Sequence, residues 1–158
     1  APHYIDNHRR HLGPRKVAIC RAAHLWRHYL DSLVQCMFVR FSEHQVIEAV
    51  RAVTGWDTTT VEALMVGERA VTLARAFNIR EGFTRADDQL PQRFFQPTTA
   101  GALKETAINP EDMDRAIHIF YRQMGWDSET GVPTAEKLEE LEMEWVIEEL
   151  AKAGITAP

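Results

Sequence analysis

Helix start and stop signals recur along the sequence and leave little room for other regular structure. Ser42 and Gln45 have the spacing of a capping box, in which two side chains bond the free backbone N–H groups at the start of a helix. Thr59 and Glu62 repeat that spacing, and Gly55 is placed to end the first of these two helices. These signals predict helices that begin at about residues 43 and 60.

Apolar residues at helical spacing predict further helices on both sides of this pair. Residues 15–39, RKVAICRAAHLWRHYLDSLVQCMFV, follow Pro14, which suits the first turn of a helix. Asn109 and Pro110 begin another helix, which Gly125 ends. The first segment is predicted as a helix that ends within DSLVQC, residues 31–36, and the second segment as a single helix.

Two helices are predicted to bury an apolar face. In residues 57–78 the buried stripe is expected to consist of Val61, Leu64, Met65, Val71, Leu73 and Phe77. Thr134 caps the last helix, which is predicted as one element over residues 135–154. Its apolar face is Leu138, Leu141, Trp145 and Leu150.

The segment between residues 79 and 110 breaks the helical pattern with two glycines and three prolines. A structureless stretch of this length is unusual in a compact domain. We therefore expect residues 82–101 to be an ordered loop that packs on the helices, with a short helical turn at RADD. Pairs of charged side chains and four apolar side chains provide the contacts: Arg80, Arg85 and Arg93 with Glu81, Asp87 and Asp88, and Phe83, Leu90, Phe94 and Phe95.

No strand of convincing length appears, so the predicted class is all-α: an irregular helical domain with one long ordered loop. Residues 1–14 form a polar arm or an upstream remnant, and residues 15–158 form a single helical domain that is a fragment of a longer protein.

Composition restricts the partners. The net charge of −5 argues against nucleic acid, which favours a basic patch, and no run of about 18 apolar residues predicts a membrane span. Two cysteines, Cys20 and Cys36, do not make a disulfide framework, so we expect a reducing, cytoplasmic compartment with free thiols.

Two groups of residues could carry chemistry. Cys20, His24 and His28 recur every four residues, so they form one stripe of a helix. The stripe could bind a metal, or it could be a half-buried polar stripe. The polar stripe is favoured, because no fourth ligand comes from another element.

In DSLVQC, Asp31 stands near the end of a helix, where the helix dipole disfavours a carboxylate, and Cys36 follows five residues later. Asp31 and Cys36 are either a helix end with a core cysteine or parts of a cofactor site.

The sequence resembles the C-terminal region of the aldehyde ferredoxin oxidoreductase family, which are tungsten or molybdenum pterin enzymes. The resemblance rests on GERAVTLARAFNIREGFTRADDQLPQRF, residues 67–94, and on YRQMGWDSETGVPTAEKLEEL, residues 121–141. The family has Gly-Glu-Arg, Phe-Asn-x-Arg-Glu-Gly, Asp-Asp-x-Leu-Pro-x-Arg and a Gly-Trp at similar spacing. The resemblance extends over residues 16–141 and implies the helical fold of that family's C-terminal domains.

The resemblance also implies roles for DSLVQC, which falls on the family motif Asp-x-x-Gly-Leu-Cys. Asp31 would contact the pterin, and Cys36 would be the fourth ligand of a [4Fe–4S] cluster. Val34 and Gln35 replace Gly-Leu. Glycine adopts positive φ and permits close backbone approach, whereas a β-branched valine is expected not to. The pterin would then sit differently, or this copy would bind it poorly.

The full-length protein would accordingly oxidise aldehydes to carboxylic acids at a tungsten or molybdenum bis-pterin centre, with electrons leaving through the cluster to ferredoxin or another redox subunit. Its N-terminal pterin-binding domain would be the first partner of this helical part, and the REGFTRADD loop would border the substrate channel. The isolated fragment would bind none of these cofactors and would not be catalytic. The alternatives are a cofactor-free helical interaction domain and a relative that reduces aromatic thioesters.

Overall fold

The computed structural model describes residues 12–101 and 104–158. The predicted arm therefore lies almost wholly outside the described residues. Over the described ranges the all-α prediction is confirmed, because only isolated β-bridges accompany the helices. The elements are α1 Pro14–Ser32, α2 Glu43–Thr54, α3 Thr60–Arg80, α4 Pro110–Gln123, α5 Ala135–Glu140, α6 Glu144–Lys152 and two 3₁₀ helices, Arg85–Asp87 and Gln92–Phe95. None of these helices is both long enough and apolar enough to cross a membrane.

The predicted helix starts are confirmed. Both capping boxes form, with the backbone N–H groups of Gln45 and Glu62 donating to the Ser42 and Thr59 hydroxyls at 3.3 and 3.2 Å. Asn109 and Thr134 cap α4 and α5 in the same way. Cap geometry depends on three or four consecutive residues, which is why sequence alone predicts it.

α1 ends at Ser32, inside the DSLVQC stretch where the helix end was predicted. One predicted helix is too long. The last predicted helix is two helices, because Glu142 takes the left-handed conformation (φ 54°) between α5 and α6. The break turns the second half of that segment about its axis. Trp145, predicted to be buried, is 53% exposed, and Val146 is buried instead.

The predicted stripe of α3 is also largely wrong. Val71 is buried, but Val61, Met65, Leu73 and Phe77 are exposed. Apart from Val71 and Ile79, the buried face of α3 carries small and polar residues: Ala63, Gly67, Glu68, Thr72, Arg75 and Ala76.

The close approach of α1 to α3 explains this face. A Cβ atom at Gly67 would lie 2.0 Å from the carbonyl oxygen of Leu25, so only glycine fits there. Beside this contact the Glu68 carboxylate is buried and accepts from Arg21 of α1 at 2.9 Å and from Lys137 of α5 at 3.3 Å. A buried carboxylate with two cationic partners joins three helices at one point.

Arg75 is a second buried charge on the same face of α3. Its Nη1 atom lies 3.0 and 2.8 Å from the two carboxylate oxygens of Asp88 in the irregular segment. Its Nε atom donates to the carbonyl of Gly131 at 2.9 Å, and its guanidinium stacks over the ring of Trp126, 5.7 Å from the centroid. One side chain thus connects α3, the irregular segment and the turn that precedes α5.

Tyr121 of α4 completes the Arg75 cluster. Its hydroxyl donates to Asp88 and accepts from Arg75 Nη2 at 3.2 Å. Burial and the hydrogen bond to Asp88 raise the pKa of Tyr121 to about 12, so the phenol stays protonated and remains a donor at neutral pH.

The irregular segment is attached by charges more than by apolar contacts. The predicted helical turn at RADD is present as the 3₁₀ helix Arg85–Asp87. Its arginine pairs with Asp114 of α4, and Asp88 pairs with Arg75, so these two charges bond to helices rather than to one another. Of the four apolar side chains expected to pack, Phe83 and Phe94 are exposed, whereas Leu90 and Phe95 are partly buried.

Five of the six helices end in one type of turn, the Schellman motif. The residue after the C-cap is left-handed and donates to the carbonyl three residues back, and the next residue donates five residues back. Glycine occupies the left-handed position after α3, α4 and α6, whereas Val34 (φ 57°) and Glu142 occupy it after α1 and α5. A β-branched residue in this conformation is an outlier, so the turn after α1 is strained.

Replacing Val34 by glycine should stabilise the fold. The left-handed conformation costs a residue with a Cβ about 1–2 kcal/mol, and the added freedom of glycine in the unfolded chain offsets part of that gain. We expect Val34→Gly to raise the free energy of unfolding in urea by about 1 kcal/mol. Gly154→Val is the matched control, because nothing lies within 4 Å of a Cβ there. We expect this variant to lower the free energy of unfolding by about as much as Val34→Gly raises it. A loss of stability in Val34→Gly would show that the left-handed backbone of Val34 is not strained.

Removing Asp88 should destabilise the fold far more than removing a surface carboxylate. Asp88→Ala leaves the Arg75 guanidinium buried without its counter-charge, so we expect the free energy of unfolding to fall by about 2–3 kcal/mol. Glu81→Ala, which breaks the exposed Arg80–Glu81 pair, should cost less than about 1 kcal/mol. Equal losses for the two variants in urea unfolding would show that the Arg75 cluster does not hold the segment.

Candidate functional site

The two predicted site residues lie on one turn at the end of α1. Asp31 is in the last helical turn, and Cys36 lies two residues beyond the left-handed Val34. The backbone N–H groups of Val34 and Gln35 donate to the carbonyls of Asp31 and Leu30 at 3.0 and 3.1 Å. These bonds fix the path of the chain from the carboxylate to the thiol.

A second turn holds the other side of Cys36. The Val39 N–H donates to the Cys36 carbonyl at 3.3 Å, and the Gln35 side-chain amide donates to the Val39 carbonyl at 3.3 Å. The thiol is exposed and free. Cys36 is therefore not a core cysteine, and its backbone is held in place although its side chain is open to a ligand.

Val34 takes the backbone conformation that the sequence analysis expected it to avoid. Its φ of 57° is that of a glycine, and its side chain is 91% exposed. The two Schellman hydrogen bonds fix this conformation, and no neighbour opposes the protruding isopropyl group. The backbone geometry that a glycine would provide between Asp31 and Cys36 is thus present, with an additional apolar group on the surface.

Asp31 has a local partner that the sequence analysis did not consider. Its carboxylate lies 2.7 Å from Arg27 Nη2, one helical turn earlier, and about two-fifths of each side chain is exposed. This pair offsets the unfavourable helix dipole, so the position of Asp31 does not by itself require a ligand. An exposed pair contributes less than about 1 kcal/mol, so a ligand could displace Arg27 at small cost.

The surface around Cys36 is apolar. Val34, Met37, Phe38 and Val39 are all at least half exposed, and Phe38 is 88% exposed. Contiguous exposed apolar residues mark surfaces that bind another protein or a ligand. The exposed thiol and carboxylate therefore stand at the edge of a surface that favours a partner.

The stripe of Cys20, His24 and His28 does not gather further ligands. The two imidazole rings pack edge to face with centroids 4.5 Å apart, and His24 also faces Phe120. Burial and the neighbouring His28 lower the pKa of His24, which keeps its ring neutral. Over residues 12–101 and 104–158, no three His, Cys, Asp or Glu side chains are grouped as a metal site would require.

The irregular segment borders a cavity of about 450 Å³ between α1 and α4. Its lining is mainly apolar, and Arg75, Asp88 and Tyr121 form one polar corner. The volume falls within the usual range for small-molecule sites.

Glu68 and Arg75 were not singled out from the sequence as interacting residues. Both lie in a helical pattern that also contains well-placed apolar residues, which favoured an apolar buried face. The available signal was their spacing of seven residues, which places two opposite charges on the same face as Val71.

Comparison with known proteins agrees with the fold and with the sequence motifs. The family model described as "Aldehyde ferredoxin oxidoreductase, domains 2 & 3" matches residues 3–143. The tungsten-containing aldehyde ferredoxin oxidoreductase of Pyrococcus furiosus is 34% identical over 116 residues, which are 71% of this chain and 18% of that protein. The aliphatic sulfonate oxidoreductase, WOR-like subunit, of the same organism is 34% identical over 120 residues, 72% of this chain and 19% of the relative.

A solved structure shows the same helical arrangement. The active-site complex BamBC of benzoyl coenzyme A reductase with 1,5-dienoyl-CoA matches with a TM-score of 0.70 and 29% identity. The match covers 90% of this chain and 22% of that one. The chain spans about a fifth of the length of the proteins it matches. On this evidence the chain belongs to the aldehyde ferredoxin oxidoreductase family, whose C-terminal helical part it represents.

Proposed function

We propose that this chain forms one wall of the cofactor cleft in an enzyme that oxidises aldehydes to carboxylic acids. The observation that carries the proposal is the turn after α1, which presents a free thiol and a carboxylate together at an apolar surface. The cofactors would be a tungsten or molybdenum bis-pterin and a [4Fe–4S] cluster, and the pterin-bound metal would supply the two-electron chemistry.

The residues of the turn fit a share of such a centre rather than all of it. Cys36 offers one thiolate, and an iron–sulfur cluster needs four ligands. The other three would come from the rest of the full-length protein. Asp31 would accept hydrogen bonds from N–H groups of the pterin and would release Arg27.

The apolar surface around Cys36 would exclude water once covered. In the full-length protein the N-terminal pterin-binding domain is the proposed cover, and it would bury Met37 and Phe38 together with the thiolate. Removal of water raises the strength of hydrogen bonds to the cluster and lowers solvent access to it, and both set its potential. Electrons would then leave to ferredoxin or another redox subunit.

The cavity beside the irregular segment is the proposed inner end of the substrate channel. Its apolar walls suit the hydrocarbon part of a small aldehyde, and its polar corner could bond a carbonyl or carboxylate oxygen. Arg75 and Tyr121 are already bonded to Asp88, so they would act mainly by holding the wall in place.

A second candidate is the reduction of an aromatic thioester. The likeness to the benzoyl coenzyme A reductase complex favours it, since that match covers 90% of the chain. The third candidate, a helical interaction domain without cofactor, draws support from the replacement of Gly-Leu by Val34 and Gln35. Metal analysis of the full-length protein separates the third candidate from the other two, and turnover of an aldehyde against an aromatic thioester separates those two.

Cys36 and Cys20 should differ in their effect on the cluster. In the full-length protein we expect Cys36→Ala to lose iron or to degrade the cluster, because one iron loses its thiolate and gains access to solvent. Cys20→Ala is the matched control and should keep full iron. Iron per chain and the paramagnetic signal of the reduced cluster measure both. Full iron with an unchanged signal in Cys36→Ala would exclude Cys36 as a ligand.

Asp31→Asn should affect the pterin and spare the cluster. The amide keeps an acceptor oxygen but loses the charge and adds a donor, which weakens the bond to a pterin N–H. We expect tungsten or molybdenum per chain to fall several-fold while iron content is unchanged. Arg27→Gln, which removes only the surface partner, should leave both metals in place. Loss of iron in Asp31→Asn to the same extent as tungsten or molybdenum would argue for general misfolding instead.

A further inference from the structure

The cavity beside the irregular segment carries an excess of negative charge on a mainly apolar lining. Two carboxylates, Asp87 and Asp88, and one guanidinium, Arg75, belong to that lining. Among the described residues that line the cavity, Arg75 is the single cation. These charges restrict the class of small molecule that the cavity can hold.

The Arg75 guanidinium is not available to a bound anion. Its Nη1 atom lies 3.0 and 2.8 Å from the two carboxylate oxygens of Asp88. Its Nε atom donates to the Gly131 carbonyl at 2.9 Å, and its Nη2 atom donates to the Tyr121 hydroxyl at 3.2 Å. An anionic group in the cavity could bond Arg75 only by displacing Asp88, which would leave that carboxylate without its counter-charge.

Asp87 supplies the excess negative charge. Its carboxylate accepts hydrogen bonds from the backbone N–H of Thr84 at 2.7 Å and from the Thr84 hydroxyl at 3.0 Å. These two bonds lower the pKa of Asp87, so the carboxylate stays ionised at neutral pH. Neither donor carries a charge, so the bonds orient the carboxylate without neutralising it.

The apolar part of the cavity suits a flat ring. Phe120, Tyr121 and Trp126 form one wall, in which the centroid of the Trp126 ring lies 5.9 Å from those of the other two. An aromatic guest gains from offset or edge-to-face contact with such rings. An apolar protein cavity of about 150 Å³ can bind benzene, so the larger volume of this cavity accommodates a substituted single ring.

We propose that this cavity binds the body of an uncharged aldehyde, with a single aromatic ring preferred, and that Asp87 sets a preference against anionic substrates. This inference rests on the proposed function and specifies the substrate class of the same site. A carboxylate or phosphate on the substrate would face Asp87 between apolar walls, where repulsion between like charges is stronger than in water. The product of aldehyde oxidation is itself a carboxylate, so the same repulsion favours its release.

Protection of Cys20 tests whether a ring occupies the cavity. The Cys20 thiol is exposed and lines the cavity, so a bound molecule would shield it from iodoacetamide. In the full-length protein we expect saturating benzamide to slow alkylation of Cys20, followed by mass spectrometry, at least about fivefold. Benzoate at the same concentration should have little effect. No protection by benzamide, or equal protection by both compounds, would overturn the proposal.

Two substituted benzaldehydes that differ in charge test the role of Asp87. 4-Formylbenzamide and 4-formylbenzoate have nearly the same shape, and only the second is an anion. We expect kcat/KM of the full-length enzyme to be at least about tenfold higher for the neutral aldehyde. Asp87→Asn keeps an acceptor oxygen for Thr84 but removes the charge, so it should lower this ratio at least about threefold.

Glu111→Gln is the matched control for the charge. Glu111 is an exposed acidic residue in the first turn of α4, outside the lining, so this variant should keep the ratio of the unaltered enzyme. Added salt should lower the ratio in the unaltered enzyme more than in Asp87→Asn, because ions screen the charge; a purely structural role of Asp87 would not produce this difference. A ratio near one, or the same ratio in all three proteins, would contradict the charge selection.

Binding without turnover separates this inference from the proposed function. Dissociation constants of benzamide and benzoate are measured by calorimetry on the same three full-length proteins. A preference for benzamide that Asp87→Asn reduces, in a protein that oxidises neither aldehyde, would support the charge selection and contradict the proposed function. Oxidation of both aldehydes with equal kcat/KM would leave the proposed function standing and contradict this inference alone.

Discussion

The buried guanidinium of Arg75 is the contact on which the arrangement of the chain depends. It lies on α3 and bonds Asp88 of the irregular segment, Tyr121 of α4 and the carbonyl of Gly131 in the turn before α5. A charge removed from water must have its hydrogen bonds satisfied, so these three parts of the chain are held at fixed positions around it. The Trp126 ring covers the cluster from one side.

Glu68 repeats this arrangement seven residues earlier, where it joins α1, α3 and α5. The two buried charges lie on the face of α3 that also carries Gly67, at which α1 approaches within backbone contact. Close packing and polar bonds stand here beside the apolar cluster of Leu25 and Val71. Four large apolar side chains of α3 remain exposed: Val61, Met65, Leu73 and Phe77. A helical unit built in this way leaves apolar surface for a partner, as a part of a longer protein would.

The turn after α1 shows how a backbone geometry that favours glycine can form with another residue. Val34 adopts a left-handed backbone because the hydrogen bonds of Val34 and Gln35 to Asp31 and Leu30 fix the turn. The same turn ends four other helices among the described residues, and three of those have glycine at the position. Strain of this kind is retained where the surrounding structure over-determines the backbone, and here it lies between the two residues proposed to contact cofactors.

The amino-acid sequence by itself determined the helical class, the helix starts and the family. Capping boxes at Ser42 and Thr59 involve neighbours in the chain, and long motifs such as GERAVTLARAFN are specific whatever the fold around them. Only the tertiary structure decided which face of α3 is buried, where the last helix breaks and which partners Arg75 and Asp88 take. Those outcomes depend on contacts between residues far apart in sequence, above all the approach of Leu25 to Gly67, and no local pattern contains the distance between two helices. The conformation of Val34 was decided by the folded turn for another reason, because residue preference argued against it and two hydrogen bonds within the turn outweighed that preference.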